Sequence, residues 1–344
     1  VTILAPLELR IRRWVRIKGQ LHRLYGKKAL WTRSKQLLTG YARLIDNAVE
    51  HEKPDIIFSP GTEPLAYLSN QVPKVFWTDA PLGAMIGYYP WYKNIASASL
   101  NEAMESENRA TQISSACIYS SQWACQQSHQ HHRTEAGKLH VLPFGGNYRF
   151  CEMTKVSPPL RINPESSPMN LLFLGVDWDR KGGDHALQIV RALTKEGLDS
   201  RLTVVGCDPP SSLVQANKTL LRPLPKLNLN EEADLNRLYQ LMVECQFLLL
   251  PSKQEAYGQV YCEALAAGVI PIGRDTGGVS EIIKDGQNGL LIRESETPIQ
   301  TARRIIALKD HYQDVSQAAV QDWRNRLDWS VQADKLKVLF RSLL

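Results

Sequence analysis

Residues 248–273 read LLLPSKQEAYGQVYCEALAAGVIPIG. An apolar run ends at Pro251, a polar loop follows to Gly258, small residues continue to Gly268, and VIPIG is apolar again. That order reads as strand, loop, short helix, strand. The strands are apolar throughout rather than alternating, as expected where both sheet faces are covered and the strands run parallel. Two glutamates, Glu255 and Glu263, stand eight positions apart around Gly258. One lies at the mouth of a strand, the other one turn into the next helix.

The same alternation extends outward. MNLLFLG (169–175), SRLTVVG (200–206), QFLLLPS (246–252) and VIPIG (269–273) read as strands, and GLLI as a last one. DHALQIVRALTKEG (184–197), EEADLNRLYQLMVEC (231–245), GQVYCEALAAG and VSEIIKDG read as helices, several closed by glycine. In the first half, KPDIIFSPG (53–61), VPKVFWTDA (72–80), SSACIYSS (114–121) and KLHVLPFGG (138–146) each read as strand then loop, with helical patterns at 34–51 and 97–112. The fold class is α/β, with a parallel sheet covered on both faces in the second half and a second α/β unit in the first. The first domain is expected over 1–154 and the second over 169–326. The proline-rich KVSPPLRINPESSP (155–168) is the linker. LDWSVQADKLKVLFRSLL (327–344) reads as an apolar-striped terminal helix. VTILAPLEL reads as a strand already under way, so an amino-terminal piece is expected to precede Val1.

The chain's 344 residues suit two domains, and apolar content of 43% with 22% charged residues is ordinary for a globular protein. No apolar run reaches the ~18 residues of a membrane-spanning helix. The six cysteines form no C-x-x-C pair and read as reduced core thiols. Ten of the 41 Lys and Arg, but only one of the 35 acids, fall in residues 1–40. LRIRRWVRIKGQLHRLYGKK (9–28) interleaves these cations with apolar residues. It reads either as a surface for anionic lipid or as a solvated basic face. No nucleic-acid motif accompanies it.

Ligands of open α/β sheets sit beyond the carboxyl ends of strands. Four polar loops fall there: GVDWDRKGGD (175–184), GCDPPS (206–211), PSKQEAYGQV (251–260) and GRDTGGVSE (273–281). Gly258 opens a helix whose free N–H groups and positive dipole end suit an anion, and TGGVSE opens the next in the same way. Together with Arg180 and Lys181, these two ends can hold a diphosphate without metal.

The blocks LLFLGVDWDRKGGDHAL, LNRLYQLMVECQFLLLPS and LLPSKQEAYGQVYCEALAAGVIPIGRDTGGVSEIIKDGQNGLLI occur in that order. Over residues 169–293 the chain resembles the nucleotide-binding domain of family 4 glycosyltransferases, retaining enzymes of the GT-B type, which implies two Rossmann-like domains facing a central cleft and a terminal helix, 327–344, that rejoins the first domain. Their signature, Glu, seven residues, Glu, then Ala, falls on Glu255, Glu263 and Ala264. Resemblance over 53–150 is much weaker.

The resemblance implies a hexosyltransferase-type glycosyltransferase (EC 2.4). It would move a sugar from a nucleotide-diphosphate sugar to a glycan or lipid-linked acceptor in cell-surface polysaccharide or glycolipid synthesis. It would act in the cytoplasm, peripheral at the inner face of the membrane, without metal or other cofactor and without nucleic acid. It implies that Glu263 binds the ribose hydroxyls and that Glu255 contacts the transferred sugar. The backbone near Gly258, Gln259 and Val260 would take phosphate oxygens, and Lys181 would neutralise the diphosphate. Gly175 and Tyr257 complete the nucleotide-sugar set. The family arginine five residues before the lysine is Val176 here, and Arg180 is expected to replace it. The base would contact loops near 206–211 and 222–226, whose chemistry fits UDP, GDP or ADP.

Several signals stay double. Asp177 and Asp179 in DWD spell a metal-binding pattern of a different transferase fold, three letters long. Asp79, where the family often carries histidine, either orients a sugar or acceptor hydroxyl or caps a helix. Tyr88, Tyr89, Trp91 and Tyr92 form a sugar-stacking wall or pack among themselves. His129, His131 and His132 in SHQHHR read as a solvated helix end before a zinc site. A nucleotide-sugar-binding protein, or an epimerase or hydrolase on the same architecture, is the alternative to transfer.

Overall fold

The structure is a computed structural model, and it describes residues 1–4, 26–156 and 168–344. Part of the basic run (9–25) and most of the linker (157–167) lie outside the described residues. The chain divides into two compact units. One comprises Val1–Leu142 and Asp334–Leu344, the other Pro143–Ala333. Each has its own apolar core.

In the first unit the described strands are β1 (Ile57–Ser59), β2 (Lys74–Thr78), β3 (Ala116–Tyr119) and β4 (Leu139–Val141). They pair in that order, all parallel. Helices Lys35–Glu52, Ser97–Ile113 and Gln122–His132 run between or before them. β2 and β3 are almost wholly buried, which explains their unbroken apolar reading. Their core includes Phe76 and Tyr119, edge-on at 5.6 Å, with Leu38 and Leu65.

The second unit carries β5 (Met169–Leu174), β6 (Ser200–Val205), β7 (Leu221–Pro223), β8 (Phe247–Leu250), β9 (Ile270–Arg274) and β10 (Leu290–Ile292). The strand order is β10-β9-β8-β5-β6-β7, all parallel. From β5 the chain winds outward to β7, then crosses back to β8 on the other side. The strand order reverses between β5 and β8, and that reversal opens a crevice at their carboxyl ends. Helices Gly183–Lys195, Glu232–Glu244 and Gln259–Ala266 follow the expected patterns. β7 escaped the sequence reading. It is three residues at the sheet edge ending in proline, too short for any periodicity and placed where proline is tolerated.

The boundary between units falls at 142/143, not at 154/155. Residues 143–154 belong to the second unit because helix Tyr148–Val156 puts Phe150 and Cys151 into that unit's core. The Trp329 indole also donates to the Gly146 carbonyl at 2.8 Å. At the other end the second unit continues to Ala333, since Trp323 and Leu327 are buried in its core. Helix Trp329–Leu343 begins there. Its residues from Asp334 onward group with the first unit, where Phe340 lies edge-on to Phe58 at 5.7 Å. All six cysteines are free and five are buried, and burial pushes the Cys262 thiol up to about 12.

Candidate functional site

The sheet order of the second unit sets the four polar loops side by side. They follow β9, β8, β5 and β6, which are consecutive neighbours. The loops after β5 and β8 flank the crevice, and their backbones are bonded to each other. The Lys253 N–H donates to the Arg180 carbonyl at 2.8 Å. Gly182 adopts φ +77°, and a Cβ there would lie 2.1 Å from the Pro251 carbonyl oxygen. Only glycine combines that backbone conformation with so close an approach. The loop after β9 locks in the same way. Gly277, at φ +57°, lies against the Glu255 carbonyl oxygen, 1.9 Å from where a Cβ would stand, and Gly278 N–H donates to Ala256 at 2.9 Å.

This packing brings charged side chains together. Lys181 and Glu255, both buried, form a short hydrogen-bonded ion pair from Nζ to Oε2. The same carboxylate oxygen accepts from Ser252 Oγ at 3.3 Å and lies 3.9 Å from Arg180 Nη1. Arg180 Nη1 also donates to the Gln254 carbonyl at 3.1 Å. The aliphatic stem of Lys181 packs on Gly175. Two cations from the β5 loop therefore converge on one carboxylate from the β8 loop, at the point where the sheet reverses. A buried pair of this kind costs desolvation and is a poor device for stability alone.

Helix Gln259–Ala266 starts four residues after Glu255, with Gly258 at its N-cap. Its first N–H groups have no intrahelical acceptor, so Gly258, Gln259 and Val260 present donors toward the sheet edge. Glu263 sits on the same helix, half-buried, and its Oε1 accepts from the Asn147 N–H at 2.9 Å. Burial pushes its pKa up to about 7, against the opposing pull of that N–H. Tyr257 differs from the other members of the expected set. Its side chain is 2% exposed and its hydroxyl donates to the Phe144 carbonyl at 2.8 Å. Its ring is core, and only its backbone reaches the sheet edge.

The second helix end does not form as expected. Val279–Ile282 is a single turn, and the Gly278 and Val279 N–H groups are already bonded to Ala256 and to Thr276. The DWD carboxylates likewise have partners. Asp177 Oδ1 accepts from the Arg180 N–H at 3.0 Å, and Asp179 pairs with Lys253 at 2.6 Å.

In the first unit, Asp79 lies exposed at the carboxyl end of β2. Its Oδ1 accepts from the Ala80 N–H at 2.9 Å. It does not cap the next helix, whose N-cap is Pro81. Trp91 stacks on Tyr89 at 4.5 Å and remains 47% exposed. His132 is buried, with Nε2 accepting from the Gly83 N–H at 3.1 Å, while His129 bonds the Thr134 carbonyl. No group of three or more His, Cys, Asp or Glu among the described residues is arranged to hold a metal ion.

Sequence reasoning missed Asn147, whose N–H orients Glu263. It also missed the role of Gly277 behind Glu255. The glycine pairs in PFGGN and DTGGV were the available signals, since paired glycines after a strand mark close backbone approach.

Residues 168–311 match the family model of the glycosyl transferases group 1. The chain is 30% identical over 173 residues to the lipopolysaccharide glucosyltransferase WaaG of Escherichia coli, covering 48% of this chain and 45% of that protein. It is 32% identical over 171 residues to the D-inositol 3-phosphate glycosyltransferase of Nocardia farcinica, covering 46% of this chain and 37% of that protein. The chain thus spans less than half the length of these curated relatives. Among solved structures it resembles HepE of Anabaena in complex with UDP, with TM-score 0.65, 18% identity, and coverage of 89% of this chain and 83% of that one. It also resembles the sucrose-phosphate synthase of Thermosynechococcus elongatus, with TM-score 0.66, 16% identity, and coverage of 90% and 78%. These structural likenesses establish the fold as GT-B, with two Rossmann-like domains. No helix among the described residues is long and apolar enough to cross a membrane.

Proposed function

We propose that this chain is a retaining glycosyltransferase of family 4. It moves a hexose from a nucleoside-diphosphate sugar to a glycan or lipid-linked acceptor in cell-surface polysaccharide or glycolipid synthesis. The observation that carries the reading is the buried cluster of Lys181, Arg180 and Glu255 beside the Gly258 helix end, at the reversal point of the sheet. The match of residues 168–311 to group 1 glycosyl transferases supports the class of reaction. The likeness to HepE, solved with UDP and with UDP-glucose, favours a uridine donor.

In the reaction the bond between the anomeric carbon and the diphosphate oxygen breaks. The acceptor oxygen takes its place, and the acceptor hydroxyl's proton passes to the departing diphosphate. Negative charge grows on the departing diphosphate. Lys181, Arg180 and the first N–H groups of helix Gln259–Ala266 meet that charge without reorganising, so they act most strongly in the transition state. Glu255 holds the cations and reaches the transferred sugar, and Glu263 takes the ribose hydroxyls. Gly175 and the backbone of Tyr257 line the same edge. The donor set is cationic and backbone N–H, so no metal is assigned to the diphosphate. Asp79 offers a carboxylate to a sugar hydroxyl in the first unit. The basic residues at 9–28 would hold the enzyme on anionic lipid at the cytoplasmic face.

The test is a thermal-shift panel of UDP-, GDP- and ADP-sugars, followed by product analysis with the donor that stabilises. A stabilising donor and a glycosylated product with retained anomeric configuration are expected. Hydrolysis alone would point instead to a hydrolase, and binding without turnover to a nucleotide-sugar-binding protein.

A further inference from the structure

Among the described residues Glu107 is the most deeply buried charge of the first unit, 1% exposed on helix Ser97–Ile113. Its carboxylate gathers donors from three separate segments. Oε2 accepts from Arg33 Nη1 and from Thr62 Oγ1, the latter at 2.6 Å. Oε1 accepts from the Leu82 N–H at 3.2 Å. Thr62 lies in the loop after β1 and Leu82 in the loop after β2, so one side chain ties together two loops at the carboxyl edge of the sheet. Arg33 extends the tie, since its Nη2 pairs with Glu63 in the β1 loop at 2.7 Å.

The neighbouring helix does the same one residue further on. His132, at the end of Gln122–His132, accepts the Gly83 N–H at Nε2, and its Nδ1 bonds Asn108 Oδ1 at 2.8 Å. Two consecutive backbone N–H groups at the start of the turn Leu82–Met85 are therefore satisfied by side chains. Both residues are buried, so without these acceptors each N–H would stand unpaired away from water. Apolar residues could fill the volume of Arg33 and Glu107 and spare the desolvation of the two charges. They could not bond Thr62 and Leu82. What the carboxylate supplies is geometry. The two loops it holds carry Glu63, partly exposed, and Asp79, exposed, and Tyr92 stands within electrostatic reach of both.

We propose that Glu107 is a positioning residue: it clamps the loops after β1 and β2 so that Glu63 and Asp79 present their carboxylates to the hydroxyls of a sugar acceptor. The proposal rests on the glycosyltransferase reading above.

The test compares Glu107→Gln with the double variant Arg33→Met/Glu107→Met in the full chain. UDP affinity reports the second unit, KM for octyl glucoside and octyl galactoside reports the acceptor side, and amide hydrogen exchange over 79–85 reports the clamp. Glu107→Gln is expected to leave UDP affinity unchanged, raise acceptor KM about 10-fold or more, and speed exchange at 79–85 by a similar factor, as losing hydrogen bonds to a charged group implies. The double variant removes both buried charges but leaves the Leu82 N–H unpaired, so it is expected to recover part of the thermal stability but neither KM nor slow exchange. Recovery of all three would reduce Glu107 to a structural role and overturn the proposal. So would unchanged exchange and KM in Glu107→Gln. If the unsubstituted chain binds UDP yet transfers to no acceptor, the glycosyltransferase reading fails, while exchange at 79–85 still decides whether the clamp exists.

Discussion

Glu263 is the titrating group of the site. Burial moves its pKa from 4.5 to about 7, so between those values the folded chain holds a proton that the unfolded chain has lost. Stability therefore falls as pH rises through that window. The unfolding midpoint of the natural chain is expected to drop more from pH 5 to pH 8 than that of Glu263→Gln. On the proposed reading Glu263 takes the ribose hydroxyls, and its ionised form accepts them more strongly, so UDP-sugar affinity should strengthen from pH 6 to pH 8. In Glu263→Gln it should stay weak and flat. Calorimetric titration at three pH values checks this, and a parallel pH profile in the variant would remove Glu263 from the ribose. In the proposed reaction Lys181 has the complementary task. Lys181→Ala should lower kcat about 100-fold or more, the scale of losing a preorganised charge at a developing anion, with a smaller change in donor affinity. A pure KM effect would contradict the assignment.

At the scale of elements, the loops after β5, β8 and β9 hold one another through backbone contacts rather than through bulk. Gly182→Ala should destabilise by about 1–2 kcal/mol through its left-handed backbone alone, and further through the contact with Pro251. Because that contact joins the two loops carrying Lys181 and Glu255, UDP affinity should fall with it. Gly286 is the control. It also has positive φ, +73°, but open space where a Cβ would stand. Gly286→Ala should cost the conformational part and leave UDP affinity intact. Equal losses of affinity in both variants, measured by calorimetry beside denaturant melts, would separate loop packing from binding. Element positions were largely legible, because apolar strands and glycine-closed helices advertise themselves. The failures were local. β7 was too short to show a period, and the turn at Val279–Ile282 spends its N–H groups on a neighbouring loop, which no linear pattern reveals.

For the whole molecule, two units with separate cores imply more than one unfolding step. UDP should stabilise only the transition of the second unit, by about 2.7 kcal/mol at a hundredfold excess over Kd. Hydrogen exchange should slow at 175–182 and 251–260 and stay unchanged in β1 to β4. Protection of the first unit by UDP alone would show that the nucleotide site is not confined to 143–333. The boundary at 142/143 was hidden in the sequence for a related reason. The proline-rich stretch looks like a hinge by composition, but helix Tyr148–Val156 joins the second core through Phe150, a contact with residues far along the chain.

The sequence by itself determined the alternation of buried strands and helices, and with it the parallel sheets. It also set the spacing of Glu255 and Glu263 around Gly258. These are local properties, written in hydrophobic period, glycine placement and residue order. Only the tertiary structure decided which charges meet. Lys181 and Glu255 are 74 residues apart, and so are Arg33 and Glu107. Each pair is joined because sheet order and helix packing bring distant segments to one edge. Partner choice in a buried ion pair depends on who shares the low-dielectric space, and that is known only once the chain has closed around it.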